Sequence, residues 1–198
     1  MSGTTGTQPE LLYTLLNPVT QNTYTTARVI SAATTPAAAR CIIGGAQFWG
    51  SNPNSVGKKL VVEGYGTLGA TSGTNALTLA LALGTTPGTV GTTIATLYPS
   101  TTITASLSGG GFNFKAVLIC TANIGGATGL TIECDGWCNV GVTTAGTVST
   151  APSQNFFSAS TASLPGESSA ELQLVGTWGA SNAANTTTLK QFDVYCMN

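Results

Sequence analysis

The chain has 198 residues, of which 42% are hydrophobic and only 7% charged, with a formal net charge of −1. That length buries a core without metals or disulfides, and the apolar content excludes a disordered chain, which would be apolar-poor and charge-rich. Six Lys and Arg, scattered along the chain, are too few to neutralise a phosphate backbone, so nucleic acid is excluded as a partner. No basic amphipathic stretch addresses a membrane surface, and no run of about 18 apolar residues spans a membrane.

Residues 1–10 are small and polar and read as a flexible N-terminal arm. They have neither a basic nor an apolar leader region, so no secretory signal is expected and synthesis in a cytoplasm follows. Leu11-Leu-Tyr-Thr-Leu-Leu16 is the first apolar run, and Asn17-Pro18 ends it with a turn. Residues 27–40 are Ala-rich, but Pro36 and the β-branched Thr34-Thr35 oppose a long helix.

From residue 41 onward, apolar and polar residues alternate with period two. Leu60, Val62, Gly64 and Gly66 share one face, with Glu63, Tyr65 and Thr67 opposite. Leu77, Leu79, Leu81 and Leu83 oppose Thr78, Ala80 and Ala82. Phe112, Phe114, Ala116 and Leu118 alternate with Asn113 and Lys115, and Leu130, Ile132 and Cys134 with Thr131, Glu133 and Asp135. Leu172, Leu174 and Trp178 oppose Glu171, Gln173 and Thr177; Phe192, Val194 and Cys196 oppose Gln191, Asp193 and Tyr195. One buried face and one polar or small face per strand is the pattern of antiparallel sheets. Gly/Thr-rich loops and the lack of any helical window select a sandwich or jelly roll. The expected fold is all-β: an antiparallel jelly-roll-like β-sandwich over residues 11–198, one domain, behind the arm. The weakly patterned stretch Gly141–Ser169 reads as a long connection crossing between sheets. Small Ala and Thr side chains on the outward face of 77–83 are expected to let another subunit approach closely.

There is no histidine. This removes Ser-His-Asp and Cys-His catalysis, the usual general base near neutral pH and the commonest metal ligand. No catalytic residue is assigned and the chain is read as non-enzymatic. Gly64-Tyr-Gly66-Thr-Leu-Gly69 matches a dinucleotide fingerprint, but no helix follows to meet a pyrophosphate, so no cofactor is assigned. Cys134-Asp-Gly-Trp-Cys138 lacks the second cysteine pair of a zinc site, and no metal is assigned. On a strand its two thiols share a face about 13 Å apart, too far for a disulfide. Five cysteines at irregular spacing are expected as reduced, mostly buried thiols. Glu133 with Asp135 and Glu167 with Glu171 are the only close carboxylate pairs, too sparse for calcium and not placed as a glycosidase pair. Trp178 shares the core face of Leu172 and Leu174. Trp137 is out of phase with the Ile132 face and is the candidate for an exposed aromatic at a subunit contact; a loop-covered core position and a sugar platform, with Trp49, are its other readings. Leu11, Leu12 and Tyr13, beside the arm, join Trp137 as candidate subunit contacts. Asn185-Thr-Thr187 is a formal glycosylation sequon, without meaning in a cytoplasm.

Several segments, in this order, carry a resemblance: Leu11-Leu12, Gly57-Lys-Lys-Leu-Val-Val-Glu-Gly-Tyr-Gly66, the Leu-alternating strand 77–83, Gly91-Thr-Thr-Ile-Ala95, Phe114-Lys-Ala-Val-Leu-Ile-Cys120 and the stretch from Leu174 to Tyr195 containing Gly-Thr-Trp-Gly-Ala-Ser-Asn. Together they resemble tailed-bacteriophage proteins built as Thr/Ser/Gly-rich β-sandwiches, virion components such as head decoration proteins or fibres. Cys196 departs from that group, whose C-terminal strand usually lacks it. The resemblance implies a capsid decoration or cement protein on the virion surface, partnered by itself as a homotrimer and by a major capsid or other virion protein. A tail or fibre component and a carbohydrate-binding module on the virion are the alternatives.

Overall fold

A computed structural model describes residues 10–22, 27–31, 41–43, 56–70, 75–86, 88–103, 107–123, 130–144, 147–150, 154–164, 170–180 and 182–197. Among them are thirteen strands and no helix. In chain order they are β1 (Glu10–Thr14), β2 (Val19–Asn22), β3 (Arg28–Val29), β4 (Ile42–Ile43), β5 (Lys59–Ala70), β6 (Asn75–Gly84) and β7 (Thr92–Ile103). Then follow β8 (Leu107–Asn123), β9 (Leu130–Thr144), β10 (Thr147–Thr150), β11 (Gln154–Leu164), β12 (Ala170–Trp178) and β13 (Thr186–Met197). Glu10, the last residue of the expected arm, belongs to β1 and pairs with Cys196. The other nine residues of the arm and the Ala-rich 32–40 lie outside the described residues.

The pairings nest. β6 pairs β7, β5 pairs β8, β3 and β4 pair β12, and β1 and β2 pair β13, all antiparallel. Two further pairings, β13 with β5 and β12 with β6, roll this ribbon of hairpins into two layers. The larger sheet runs β1-β13-β5-β8-β9-β10 and the smaller β3-β12-β6-β7. This is a jelly-roll sandwich, with β9, β10 and β11 added on the open side of β8.

That addition corrects one expectation. The stretch 141–169 is not a bare connection: β9 runs on to Thr144, and β10 and β11 both pair back onto β9. The Ser/Thr-rich composition hid it. Backbone pairing needs no apolar alternation, and β-branched Thr suits a strand without signalling which face is buried.

The inward faces of both sheets meet in one core. Leu60, Val62, Phe112, Phe114, Ala116 and Leu118 from the larger sheet pack with Leu77, Leu79, Leu81, Leu172, Leu174 and Trp178 from the smaller. Each fully buried Leu or Phe contributes about 1.5–3 kcal/mol relative to exposure. The Gly64–Gly69 fingerprint lies wholly on β5, with its glycines facing phenylalanines across the strand pair, Gly64 to Phe114 and Gly66 to Phe112. A Cβ on Gly64 would stand 2.7 Å from the Phe114 ring, and one on Gly66 2.6 Å from the Phe112 ring. Those glycines are seats for aromatic rings, which accounts for a G-x-G pattern without a nucleotide.

A second correction concerns the outward face of the smaller sheet. Glu171, Gln173, Ala80 and Ala82, read as polar or small and outward, are all buried. The β6–β7 connection accounts for the two polar side chains. The Gly88 N–H donates to Glu171 Oε2 (2.8 Å) and the Gly91 N–H to Gln173 Oε1 (2.9 Å). Gln173 Nε2 in turn donates to Thr89 O (2.9 Å) and to Glu171 Oε2 (2.7 Å). Ala80 and Ala82, expected as small outward side chains open to another subunit, are themselves buried in the single chain.

Candidate binding face

The pleat sends alternate residues of β13, β5, β8 and β9 to the outside of the larger sheet. Antiparallel register then sets these side chains in rows across the four strands. Gln191, Tyr65, Asn113 and Asn139 form one row; Asp193, Glu63, Lys115 and Trp137 form the next. Tyr195, Val61, Val117 and Asp135 form the third, and Leu11 of β1 extends it beyond Tyr195. Lys115 Nζ meets Glu63 Oε1 at 2.5 Å in the middle of the face. Both side chains are well exposed, so the pair contributes at most about 1 kcal/mol.

That ion pair divides two shallow grooves. One, of about 410 Å³, lies between Tyr65 and Trp137, over Asn113, Lys115, Glu63 and Gln191. The other, of about 290 Å³, is bounded by Val61, Tyr195 and Met197 on the far side of Glu63 and Lys115. Asp193, buried at the margin, accepts from Thr14 Oγ1 (2.5 Å) and from Gln191 Nε2. The Tyr195 phenol also bonds Asp193; burial, then the charges of Asp193 and Glu63, raise its pKa.

The expected contact residues divide between two faces. Leu11, 51% exposed, sits outward beside Tyr195. Leu12, 41% exposed, falls at the irregularity between Leu11 and Tyr13. Tyr13 turns the other way and packs edge-on against Phe192, ring centroids 6.2 Å apart. Burial, followed by Cys41 and Glu171, pushes its phenol up to about 12. Trp137 is partly buried and outward, on the same face as Leu11. The residues missed by sequence reasoning are Tyr65 (46% exposed), Tyr195 and Met197 (44% exposed). The phase of alternation placed both tyrosines outward, but nothing local tells which outward residues become neighbours.

Other candidate sites have structural roles. Trp178 is fully buried and donates Nε1 to Thr187 Oγ1 at 3.2 Å. Asn185, the sequon residue, is buried and donates its amide to Ala180 O at 2.8 Å. All five cysteines are buried free thiols. Burial pushes Cys41 and Cys138 up to about 12; Cys134 reaches about 12 through burial and then Asp135. The thiolate is the reactive form, so these groups are poor nucleophiles. Glu133 and Asp135 stand outward on β9, opposite Ile119 and Val117. Among the described residues no three Cys, Asp or Glu side chains gather as a metal set. Trp49 and Glu167 lie outside the described residues.

No protein-family model and no curated protein matches the chain. Among solved structures it is similar to lectin I-B4 of Griffonia simplicifolia in its metal-free form, at 11% identity and a TM-score of 0.40, over 93% of this chain and 98% of that one. It is also similar to arcelin-5, a lectin-like defense protein of Phaseolus vulgaris, at 7% identity and a TM-score of 0.31, over 91% and 98% of the two chains.

Proposed function

We propose that this chain is a non-enzymatic virion structural protein, a decoration or cement protein of a phage head, that docks through the Leu11 end of its larger sheet. The observation that carries the reading is the grouping of exposed Leu11 and Met197 with Tyr195 on one sheet face. A specific interface removes about 800 Å² per partner from water. This end of the face offers apolar and aromatic side chains for that, and the Glu63–Lys115 ion pair lies at the patch border. Few desolvated charges means little opposing cost. The low charge of the whole chain and the resemblance of its sequence segments to tailed-phage virion β-sandwich proteins support the same reading. Partners are further copies of the chain, as a trimer, and a capsid protein; a tail or fibre position would use the same face.

The test uses the full chain and phage particles stripped of it. Light scattering should find a trimer whose thermal stability rises with protein concentration. Leu11→Asp combined with Met197→Asp should dissociate the trimer or abolish rebinding to particles, with the unfolding transition of the isolated chain retained. A monomer at high concentration that rebinds particles equally well with and without the two aspartates would overturn the proposal.

A further inference from the structure

We infer that the groove between Tyr65 and Trp137 is a binding site for a neutral saccharide. It goes beyond the docking role and uses other residues, on the opposite side of the Glu63–Lys115 pair. Tyr65 is on β5 and Trp137 on β9, with β8 between them. Adjacent strands are about 4.8 Å apart, so the two aromatic residues rise from strands about 10 Å apart, room for one sugar ring. Trp137 is partly buried, which holds its ring in place, while Tyr65 is open to solvent. The volume of about 410 Å³ lies within the range of about 300–1,000 Å³ of small-ligand sites.

The chemistry of the lining selects the ligand class. Aromatic faces receive the C–H face of a sugar ring, which carries little charge. Between the two rings stands Asn113, with a donor pair and an acceptor on one amide, and Gln191 adds a second amide at the rim beside Tyr65. Hydroxyl groups both donate and accept, so amides match them better than a fixed charge does. The one cation in the groove, Lys115, is already paired with Glu63. A phosphate or carboxylate ligand would have to compete with Glu63, and a cationic one with Lys115. An uncharged ligand with one apolar face and several hydroxyls satisfies all of these groups at once.

The experiment is an NMR titration of the full chain with neutral hexasaccharides of glucose, mannose, galactose, xylose and N-acetylglucosamine, following the indole N–H signals. Trp137→Phe assigns the Trp137 signal. At least one sugar should shift that signal while leaving Trp178 unmoved. Trp137→Ala and, separately, Tyr65→Ala should each weaken binding by about tenfold or more. If Trp137→Ala does not fold, Tyr65→Ala and Asn113→Ala on the surface carry the test. No shift with any sugar up to about 10 mM, a level too weak to count as recognition, would overturn the inference. So would shifts that persist unchanged in Tyr65→Ala, or that come only from a sulfated polysaccharide or from peptides. Particle rebinding by Tyr65→Ala separates the two ideas: full rebinding with lost sugar binding leaves docking standing, and the Leu11/Met197 variant should still bind sugar.

Discussion

The ring of Phe114 lies over Gly64, so close that a single added methyl on Gly64 would stand 2.7 Å from Phe114 Cε1. On the other side of β5 the same glycine faces Phe192, whose ring centroid is 6.4 Å from that of Phe114. Two large rings converge on a core position in β5 that has no side chain. Gly64→Ala must push Phe114 off its rotamer or part β5 from β13, a strain of about 1–3 kcal/mol. In a domain of this size about 1 kcal/mol moves the melting point by roughly 2–4 °C. Differential scanning calorimetry should therefore show a loss of several degrees in Gly64→Ala. Tyr65→Ala, one residue away on the open face, should lose far less.

Gln173 holds the β6–β7 connection through both ends of its amide, accepting from Gly91 N–H and donating to Thr89 O. Gln173→Leu keeps the volume and strands both backbone groups beside a buried sheet face. Each unsatisfied buried group costs about 1–3 kcal/mol. Urea unfolding should show that loss, and amide hydrogen exchange at Gly88–Gly91 should accelerate ahead of the core strands.

Alkaline pH should unfold the protein through its interior. Cys41, Cys134 and Cys138 are each raised from 9.0 to about 12, and Tyr13 from 10.0 to about 12. A folded value above the unfolded one means the folded state holds its proton more tightly. Stability from these groups is complete below about pH 9 and is lost as pH rises toward 12. Melting temperatures should be flat from pH 7 to 8.5 and fall steeply above about pH 10. Cys134→Ala combined with Cys138→Ala should soften that fall. Native protein should also react slowly with iodoacetamide at pH 8, and quickly once denatured.

Much of this fold is legible strand by strand. Leu77, Leu79, Leu81 and Leu83 all face inward, as their alternation requires, because the pleat alone decides which residues share a face. Trp178, Phe192 and Cys134 follow for the same reason. The failures have a shared cause. Glu171 and Gln173 alternate as outward polar residues and do stand on that side, yet they are buried, because a connection more than eighty residues earlier donates hydrogen bonds to them. Strands β10 and β11 escaped notice because their pairing with β9 is made by backbone, which every residue carries.

The binding face divides along the same line. That Tyr65, Lys115, Trp137 and Tyr195 point away from the core is a local property, written in the phase of each strand. That Glu63, Lys115 and Trp137 form one row, with Leu11 joining Tyr195 in the next, depends on the register of residues about 20 to 180 positions apart in sequence. Register is chosen by the whole core at once: shifting one strand by a single residue would turn its leucines or phenylalanines outward. The sequence on its own therefore determined which side of its strand each side chain takes, and only the packed sandwich decided which outward side chains stay exposed and which of them meet.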